Sequence, residues 1–408
     1  MAELATRSSN VKCLESAGVL DLLRPLLSDA CSTVRQCAVV AAARLAEHDE
    51  GVARQLLNGG VVTITLENLN KYNVKENAAW ALGYIGKHSE QLSGLVVDAG
   101  TLPLLVLAFQ EPEMSLKQIS AGALVDLAQH KPEAVVDAGA ICHLVHGLEN
   151  QDPKLKRSTL CALGAVAGAR TELAEAVVAG GALPPALLHA GHDAAPVRKA
   201  AACLLRDIVK HSVDLAQLVV NTGGCGPLVE LLGEPVGGAR VPACMALGFI
   251  AGQSDQLAMA VIESKAVPPL VEILQNQDAD EAEICAAAWT LGHIAKHSPQ
   301  HSLAIAVANA LPRLLQILPN DARARRLFVT TGALKRVQEI DSVPGSSLKE
   351  YINIINSCFP EEIVRYYTPG YSDSLLDRVE AYTPQVPELF TDRVPSDCQS
   401  EITVENAN

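Results

Sequence analysis

Apolar residues recur along the chain in blocks that share one phrase. The clearest copy, at residues 77–100, reads NAAWALGYIGKHSEQLSGLVVDAG, and a second, at residues 285–309, reads CAAAWTLGHIAKHSPQHSLAIAVAN. We interpret each copy as one long apolar helix with a capped end, followed by a shorter helix. Weaker copies fill the space between, so the pattern predicts a stack of one repeated helical unit.

The residue that ends each block recurs about every 42 residues, a period typical of armadillo and HEAT repeats. A helix that ends in the left-handed conformation favours Gly there, or next best Asn. Lys265 departs from this rule, and we expect it to be strained or capped differently. The reference positions are Gly18, Gly60, Gly100, Gly139, Gly181, Gly223, Lys265 and Asn309.

Each unit is predicted to contain three helices. A segment such as Leu92/Val96/Val97, with one apolar stripe, precedes the reference residue. A second apolar segment follows it, with an early proline that the first helical turn tolerates, at Pro103, Pro184, Pro268 and Pro312. A polar loop and the longest helix come next. Three helices rather than two favour an all-α, armadillo-repeat right-handed superhelical solenoid, with a short non-repeat C-terminal segment.

The spacing also predicts where the repeat is irregular. Between His130 and Gly139 the chain is three residues shorter than in the other units, which predicts a shortened helix. Half a unit is missing between residues 318 and 323. The non-repeat segment is expected to hold helices at 346–357 and 372–382, with an extended aromatic loop at 360–371. The predicted domains are a partial repeat at 1–16, about seven repeats over 17–318, a truncated repeat at 319–340, a helical segment at 341–382 and a disordered tail at 383–408.

Charge and composition exclude several classes of partner. The net charge is −14, whereas nucleic-acid binding needs a basic surface. Residues 341–408 hold twelve acidic and four basic residues, so this end is the most acidic. No apolar run is long enough for a membrane span and no signal peptide begins the chain. The eleven cysteines, which include Cys37, Cys161, Cys203, Cys244 and Cys285, are expected to be buried, reduced thiols of a cytoplasmic protein.

Histidine recurs near the end of the long helix in most units, at His48, His88, His130, His211 and His297. A cation there can interact with the unpaired carbonyls of the helix end. The alternative is a proton switch or a ladder of metal sites. Ala169 and Gln253 interrupt the series, so we favour the structural role. His293, His297 and His301 share a helix face, yet no further zinc ligands lie nearby.

The sequence carries no motif of an enzyme: there is no nucleophile elbow, phosphate-binding loop or zinc-protease signature. We therefore predict no catalytic residue, cofactor, metal or small-molecule substrate. The surface lined by the longest helices is the candidate site, and exposed aromatic side chains among charges are typical of protein-binding surfaces. Trp80 and Trp289 could instead pack within the stack. The predicted protein-binding groove residues are Arg44, Trp80, Tyr84, Asp126, Asp207, Phe249, Trp289 and His293.

The phrase AAWALGYI resembles the AWALSNIA phrase of importin-α, in which a Trp and an Asn four residues later bind basic nuclear-import peptides. Here Tyr84 follows Trp80 and His293 follows Trp289. The amide that holds the peptide backbone in that family is therefore missing. A cytosolic armadillo adaptor in transport or signalling, including an import-like receptor, remains the alternative function.

A second resemblance covers most of the chain. The KHS-containing units, RRLFV at 325–329 and EEIVRYYTPGYSD at 361–373 are similar to armadillo proteins of the ciliary and flagellar central apparatus. This resemblance implies a non-enzymatic scaffold of the axonemal central pair, needed for ciliary structure and sperm motility. It also implies other central-apparatus proteins and microtubules as partners. Because the chain and the microtubule surface are both acidic, we expect a basic adaptor between them.

Overall fold

A computed structural model describes residues 3–58, 75–234, 238–276, 278–310, 314, 322–371 and 381. These residues form helices and turns, with no strand among them. They divide into two compact units, residues 1–313 and 314–408. The features predicted at Gly60, at Pro312, between residues 318 and 323, and over 372–408 fall outside the described residues, apart from positions 322, 323 and 381.

The first unit is a stack of three-helix repeats, which confirms the predicted all-α armadillo fold. The third helix of each repeat, called here the long helix, packs against the long helices before and after it. We number the long helices from one to seven in chain order. They are Ser32–His48, Lys75–Gly86, Met114–Ala128, Pro153–Ala167, Ala195–Val209, Arg240–Gln253 and Glu281–Ala295.

Two shorter helices complete each repeat and stack in their own rows. A short 3-10 helix, Leu4–Thr6, precedes them. The first helices are Ser8–Ser16, Glu50–Asn58, Glu90–Asp98, Pro132–Asp137, Thr171–Ala179, Val213–Asn221, Asp255–Glu263 and Pro299–Val307. The described second helices are Val19–Leu27, Thr101–Gln110, Ala140–Gly147, Leu183–Ala190, Cys225–Leu232 and Val267–Gln275.

The turn between first and second helix has the predicted left-handed residue. All seven described reference positions have positive φ, from 61° at Asn309 to 87° at Gly181. Lys265 keeps the same turn, with φ of 63°, and its amide donates to the Ile262 carbonyl at 2.9 Å as in the glycine units. The alternative in which Lys265 is capped differently is therefore wrong, and this lysine holds a strained conformation.

The helix lengths confirm one expectation and correct another. Pro132–Asp137 has 6 residues where the neighbouring first helices have 9, as the short spacing predicts. Residues 77–100, interpreted as one long helix, form two. Lys75–Gly86 ends, and Ser89 has an extended backbone before Glu90–Asp98 begins. The apolar period continues across this break, so the pattern did not reveal it.

Large apolar side chains fill the interior between repeats. One leucine of each long helix from the second to the seventh is fully buried: Leu82, Leu124, Leu163, Leu205, Leu247 and Leu291. Small residues allow the close approach of neighbouring repeats. A Cβ added at Gly86, near the end of the second long helix, would overlap the side chain of Leu127. Residue size along this helix is therefore set by its neighbour.

The recurring histidine caps the long helix of the preceding repeat. Nε2 of His211 lies 2.8 Å from the Ala167 carbonyl, and Nε2 of His297 lies 2.6 Å from the Ala251 carbonyl. His88 and His130 contact Ala46 and Lys87 in the same way. The role at a helix end was predicted, but the helix is the neighbour's. Gln253, which replaces the histidine in one repeat, donates to the Val209 carbonyl at 3.4 Å.

The cysteines are less buried than the composition suggested. Cys244 is buried and Cys203 is half-buried, but Cys37, Cys161 and Cys285 are exposed. The prediction of burial was therefore wrong for these three, and Cys161 lines the groove, where it is open to solvent on one side. None of the ten cysteines among the described residues forms a disulfide with another of them.

The second unit contains four described helices, Ala322–Thr330, Ala333–Gln338, Ser347–Ser357 and Glu361–Tyr367. Ser346 caps the third, as its hydroxyl accepts a hydrogen bond from the Lys349 amide. The extended loop predicted at 360–371 is wrong, because Glu361–Tyr367 is helical. Glu361 and Glu362 lie in the first turn of this helix, after Pro360, where acidic side chains suit the helix dipole. Arg365 pairs with Glu361 one turn later.

Within the described residues, no single helix has the length and apolar character needed to cross a membrane. Three bent pairs of consecutive first and second helices pass that test together, on length and composition alone. Their bend angles are 77°, 86° and 84°.

Replacing Lys265 by glycine should stabilise the protein. The left-handed conformation costs a non-glycine residue roughly 1–2 kcal/mol, and the extra freedom of glycine in the unfolded chain returns part of this. We expect Lys265→Gly to raise the free energy of unfolding in urea by about 0.5–1 kcal/mol. Asn309→Gly should gain less, since Asn tolerates this conformation. An unchanged or lower stability for Lys265→Gly would contradict the strain.

The hydrogen bond between His211 and the Ala167 carbonyl should contribute measurably to the free energy of unfolding. Removing it leaves a half-buried carbonyl unpaired, so His211→Ala should lower the free energy of unfolding by about 1–2 kcal/mol. His211→Gln should recover most of this loss, because Gln253 makes the equivalent bond. His48→Ala is the matched control: His48 is exposed and belongs to the first long helix. Equal losses for His48 and His211 would contradict the contact between repeats.

Candidate protein-binding groove

The long helices line a groove in which three of the predicted residues meet. A cavity of about 690 Å³ is bordered by Trp80, Tyr84 and Asp126 from the second and third long helices. It continues past the fourth long helix to Pro196 at the start of the fifth. The aromatic, acidic and apolar groups therefore face one continuous space that spans four repeats.

Trp80 and Tyr84 form the aromatic end of this cavity. Their ring centres are 5.0 Å apart, and the ammonium of Lys87 lies 4.3 Å from the centre of the Tyr84 ring. Both rings are half-buried. Burial is the main reason that the pKa of Tyr84 is raised. This end of the cavity offers two aromatic rings inclined at 52° to each other, with a cation beside one of them.

Asp126 is the carboxylate of the cavity. Its side chain lies close to Gly83, where a Cβ would come within 3.3 Å of Oδ2. Burial raises the pKa of Asp126 to about 6, and the nearby charges of Lys87 and His130 only partly oppose this rise. Keeping the Asp126 carboxylate ionised near neutral pH therefore costs folding free energy.

A second cavity of about 550 Å³ shares Val125 and Cys161 with the first and extends to the fifth long helix. Asp207 borders it but is buried beneath its neighbours. Arg206 pairs with Asp207 at 2.8 Å and Lys210 pairs with it at 3.3 Å. The sequence position of Asp207 predicted an open carboxylate, whereas the structure presents the cations that cover it.

The remaining predicted residues lie apart from the two cavities. Phe249, Trp289 and His293 form an aromatic cluster on the sixth and seventh long helices, with ring centres 5.0 Å and 4.2 Å apart. Trp289 covers Gly248, at which a Cβ would overlap its ring, and still exposes 37% of its surface. Trp289 therefore packs within the stack and also remains partly exposed, which combines the two alternatives for this residue. Arg44 is half-buried on the first long helix.

Sequence reasoning missed the cations of the groove. Lys154 and Arg157 line the first cavity, and Lys199 lies on the fifth long helix, with its ammonium close to Gly238. They occur in the first half of their helices, two to three turns before the register that Tyr84 and Asp207 occupy. The available signal was that three basic residues recur on two neighbouring units of an acidic chain.

The histidines at the end of the stack are occupied by hydrogen bonds. Nε2 of His297 contacts the Ala251 carbonyl, and Nε2 of His301 lies 3.0 Å from the Asp255 carbonyl. Nδ1 of His301 contacts the Ser298 hydroxyl at 2.7 Å. Across the described parts of the chain, no group of three or more His, Cys, Asp or Glu side chains is arranged to hold a metal ion.

Comparison with known proteins agrees with this architecture. The Armadillo/beta-catenin-like repeat family matches residues 254–296. This range is one complete three-helix repeat, from the first helix Asp255–Glu263 to the seventh long helix. Human sperm-associated antigen 6 is 71% identical to this chain over 65 residues, and the mouse protein is 69% identical over 65 residues. Each match covers 16% of this chain and 13% of the relative's own length. The predicted resemblance is therefore confirmed over a short stretch.

Several solved structures that share this fold are engineered proteins. One has a TM-score of 0.72 and 24% identity, and the match covers 88% of this chain and 92% of that one. A designed armadillo repeat protein in complex with the peptide (KR)4 has a TM-score of 0.50 and 21% identity, with coverage of 64% and 99%. At these identities the likeness shows the fold alone.

The raised pKa of Asp126 predicts a pH-dependent stability. An acid with a raised folded pKa stabilises the protein fully below its unfolded pKa, near 4, and this contribution is lost as pH rises through about 6. Asp126→Asn should therefore raise the free energy of unfolding at pH 7.5, by on the order of 1 kcal/mol after allowance for solvent screening. At pH 4 the gain should vanish. Asp98→Asn, at an exposed carboxylate, is the control; a gain independent of pH would contradict this assignment.

Proposed function

We propose that this chain is a non-enzymatic, protein-binding scaffold of the axonemal central pair apparatus, needed for ciliary and flagellar structure and for sperm motility. The observation that carries the proposal is the groove along the long helices. Stacked repeats create extended surfaces of this kind, and such surfaces bind segments of other proteins. The relatives named sperm-associated antigen 6 support the assignment to the flagellum.

The groove suits binding better than catalysis. Its aromatic rings, Trp80 and Tyr84, are half-buried and held against each other, so they can contact a partner at a small cost in conformational entropy. Asp126, the one carboxylate of the first cavity, has no nucleophile paired with it among the described residues. The groove would thus hold partner segments at a fixed spacing along the stack.

Partners would be other central-apparatus proteins, with microtubules reached through an adaptor. The chain carries a net charge of −14, and long-range electrostatics do not draw an acidic protein to an acidic surface. Residence in the cytoplasm and on the cytoskeleton of the axoneme follows from this proposal. The import-like alternative is weakened at both aromatic pairs, because Tyr84 and His293 stand where a peptide-binding amide would be needed.

Expression of a tagged chain in ciliated cells tests the proposal. We expect signal along the axoneme, and we expect Tyr84→Ala combined with Trp289→Ala to reduce it several-fold, because both rings lie on the partner-facing surface. Leu107→Ala is the control, since Leu107 is exposed on a second helix. A melting curve for each variant separates lost binding from lost folding.

Two results would contradict the scaffold. The first is diffuse or nuclear-rim signal of the unaltered chain, with none on the axoneme. The second is an aromatic double variant that melts normally and still occupies the axoneme as the unaltered chain does.

A further inference from the structure

The middle of the groove is basic, although the chain is acidic. The side chains bordering the two adjoining cavities include four cations, Lys154, Arg157, Arg206 and Lys210, and two carboxylates, Asp126 and Asp207. Arg206 and Lys210 cover Asp207, and burial disfavours the charged form of Asp126. The local charge is therefore positive in a chain whose net charge is −14.

Two of these basic side chains, Lys154 and Arg157, and the nearby Lys199 of the fifth long helix have no acidic partner among the described residues. Elsewhere in the repeats cations pair with carboxylates, as Lys75 does with Glu111 at 2.8 Å and Arg240 with Glu283 at 3.1 Å. Among the described residues no carboxylate lies within 4 Å of Lys154, Arg157 or Lys199. All three are exposed. They are available to an anionic group that enters the groove.

The charges of Arg157 and Lys199 influence the same thiol, that of Cys161. Burial raises the pKa of the Cys161 thiol, and the charges of Arg157 and Lys199 oppose that rise. Lys199 acts in the same way on the thiol of Cys203, in the next long helix, where burial again dominates. Lys199 belongs to the long helix that supplies Pro196 and Val197 to the first cavity, so the basic surface spans the fourth and fifth repeats.

We propose that this part of the groove binds an acidic, extended segment of a partner protein that carries an aromatic residue at one end. The aromatic residue would contact Trp80 and Tyr84, and the carboxylates would pair with Lys154, Arg157 and Lys199. This inference rests on the proposed scaffold function and names the chemistry of its partner. It differs from the basic peptide of the designed neighbour in the sign of the charge.

Helix spacing sets the length of the segment. Stacked helices lie roughly 10 Å apart, so Arg157 is about 20 Å and Lys199 about 30 Å along the stack from Trp80. An extended chain advances about 3.3–3.6 Å per residue. An aromatic residue and the first paired carboxylate should therefore be about five or six positions apart, and the whole segment about nine or ten residues long. A nucleic acid is disfavoured, because its many phosphates would meet the acidic remainder of the protein.

A labelled nine-residue peptide tests the proposal by fluorescence anisotropy with the full chain. The probe has Phe at its first position and Glu at positions six to nine; matched probes carry Gln or Lys in place of Glu. We expect the Glu probe to bind at least tenfold more tightly than either, and to weaken as salt is raised. Tighter binding of the Lys probe or of a (Lys-Arg)4 peptide would overturn the proposal.

A charge-matched pair of variants locates the site. Lys154→Glu, Arg157→Glu and Lys199→Glu together should weaken the Glu probe by about tenfold or more, since three surface pairs become repulsive. The control combines Lys12→Glu, Arg24→Glu and Lys265→Glu, three exposed cations on the shorter helices or their turns. It changes the net charge equally and should alter affinity less than about twofold. Equal losses in the two variants would show that net charge, not the groove, attracts the probe.

The acidic end of the chain is the other possible occupant. Neutralising Glu388, Asp392, Asp397, Glu401 and Glu405 in the full chain should leave probe affinity unchanged if a partner is the occupant. A tenfold gain would overturn the proposal in favour of the chain's own end. If the probe fails to bind while the tagged chain still marks the axoneme, this inference fails and the proposed function stands. If the probe binds as expected but the tagged chain is absent from the axoneme, the proposed function alone fails.

Discussion

The left-handed turn between first and second helix is the constraint on which the stack depends. It bends the chain by 77–86° in three repeats, so that two short helices cross and the third is left to stack on its neighbours. Glycine adopts this turn without strain, yet Lys265 and Asn309 adopt it as well. Packing between repeats therefore overrides local preference, and the turn belongs to the architecture rather than to the residue that occupies it.

Stacking in turn creates the groove. Small residues such as Gly86 and Gly248 allow side chains of the next long helix to lie across them, and Trp289 is held in this way with part of its surface still open. The histidine capping contacts fix four of the long helix ends to the next repeat among the described residues. An aromatic ring held by the stack on one face and open on the other is preorganised for binding. Under the proposed function, stability and recognition therefore use the same aromatic side chain.

The repeat period could be predicted from sequence, because helix ends and apolar stripes recur at fixed intervals. The turn at Lys265 and the short helix Pro132–Asp137 followed from the same spacing. Contacts between repeats could not be predicted, because they join residues about 42 positions apart whose alignment depends on how helices stack. The partner of His211, the carbonyl of Ala167 in the preceding repeat, is an example. The missed helix Glu361–Tyr367 lies outside the repeat, where no period was available to indicate it.

The acidic chain and its basic groove act over different distances. Salt screens charges beyond roughly 8 Å at physiological ionic strength, so the net charge governs approach while Lys154, Arg157 and Lys199 govern contact. A broad acidic surface would meet the acidic exterior before it reached these side chains. A narrow extended segment could enter the groove while the rest of its protein stays outside. The geometry of the groove thus selects by shape as well as by charge, which favours a flexible acidic segment over a flat acidic face.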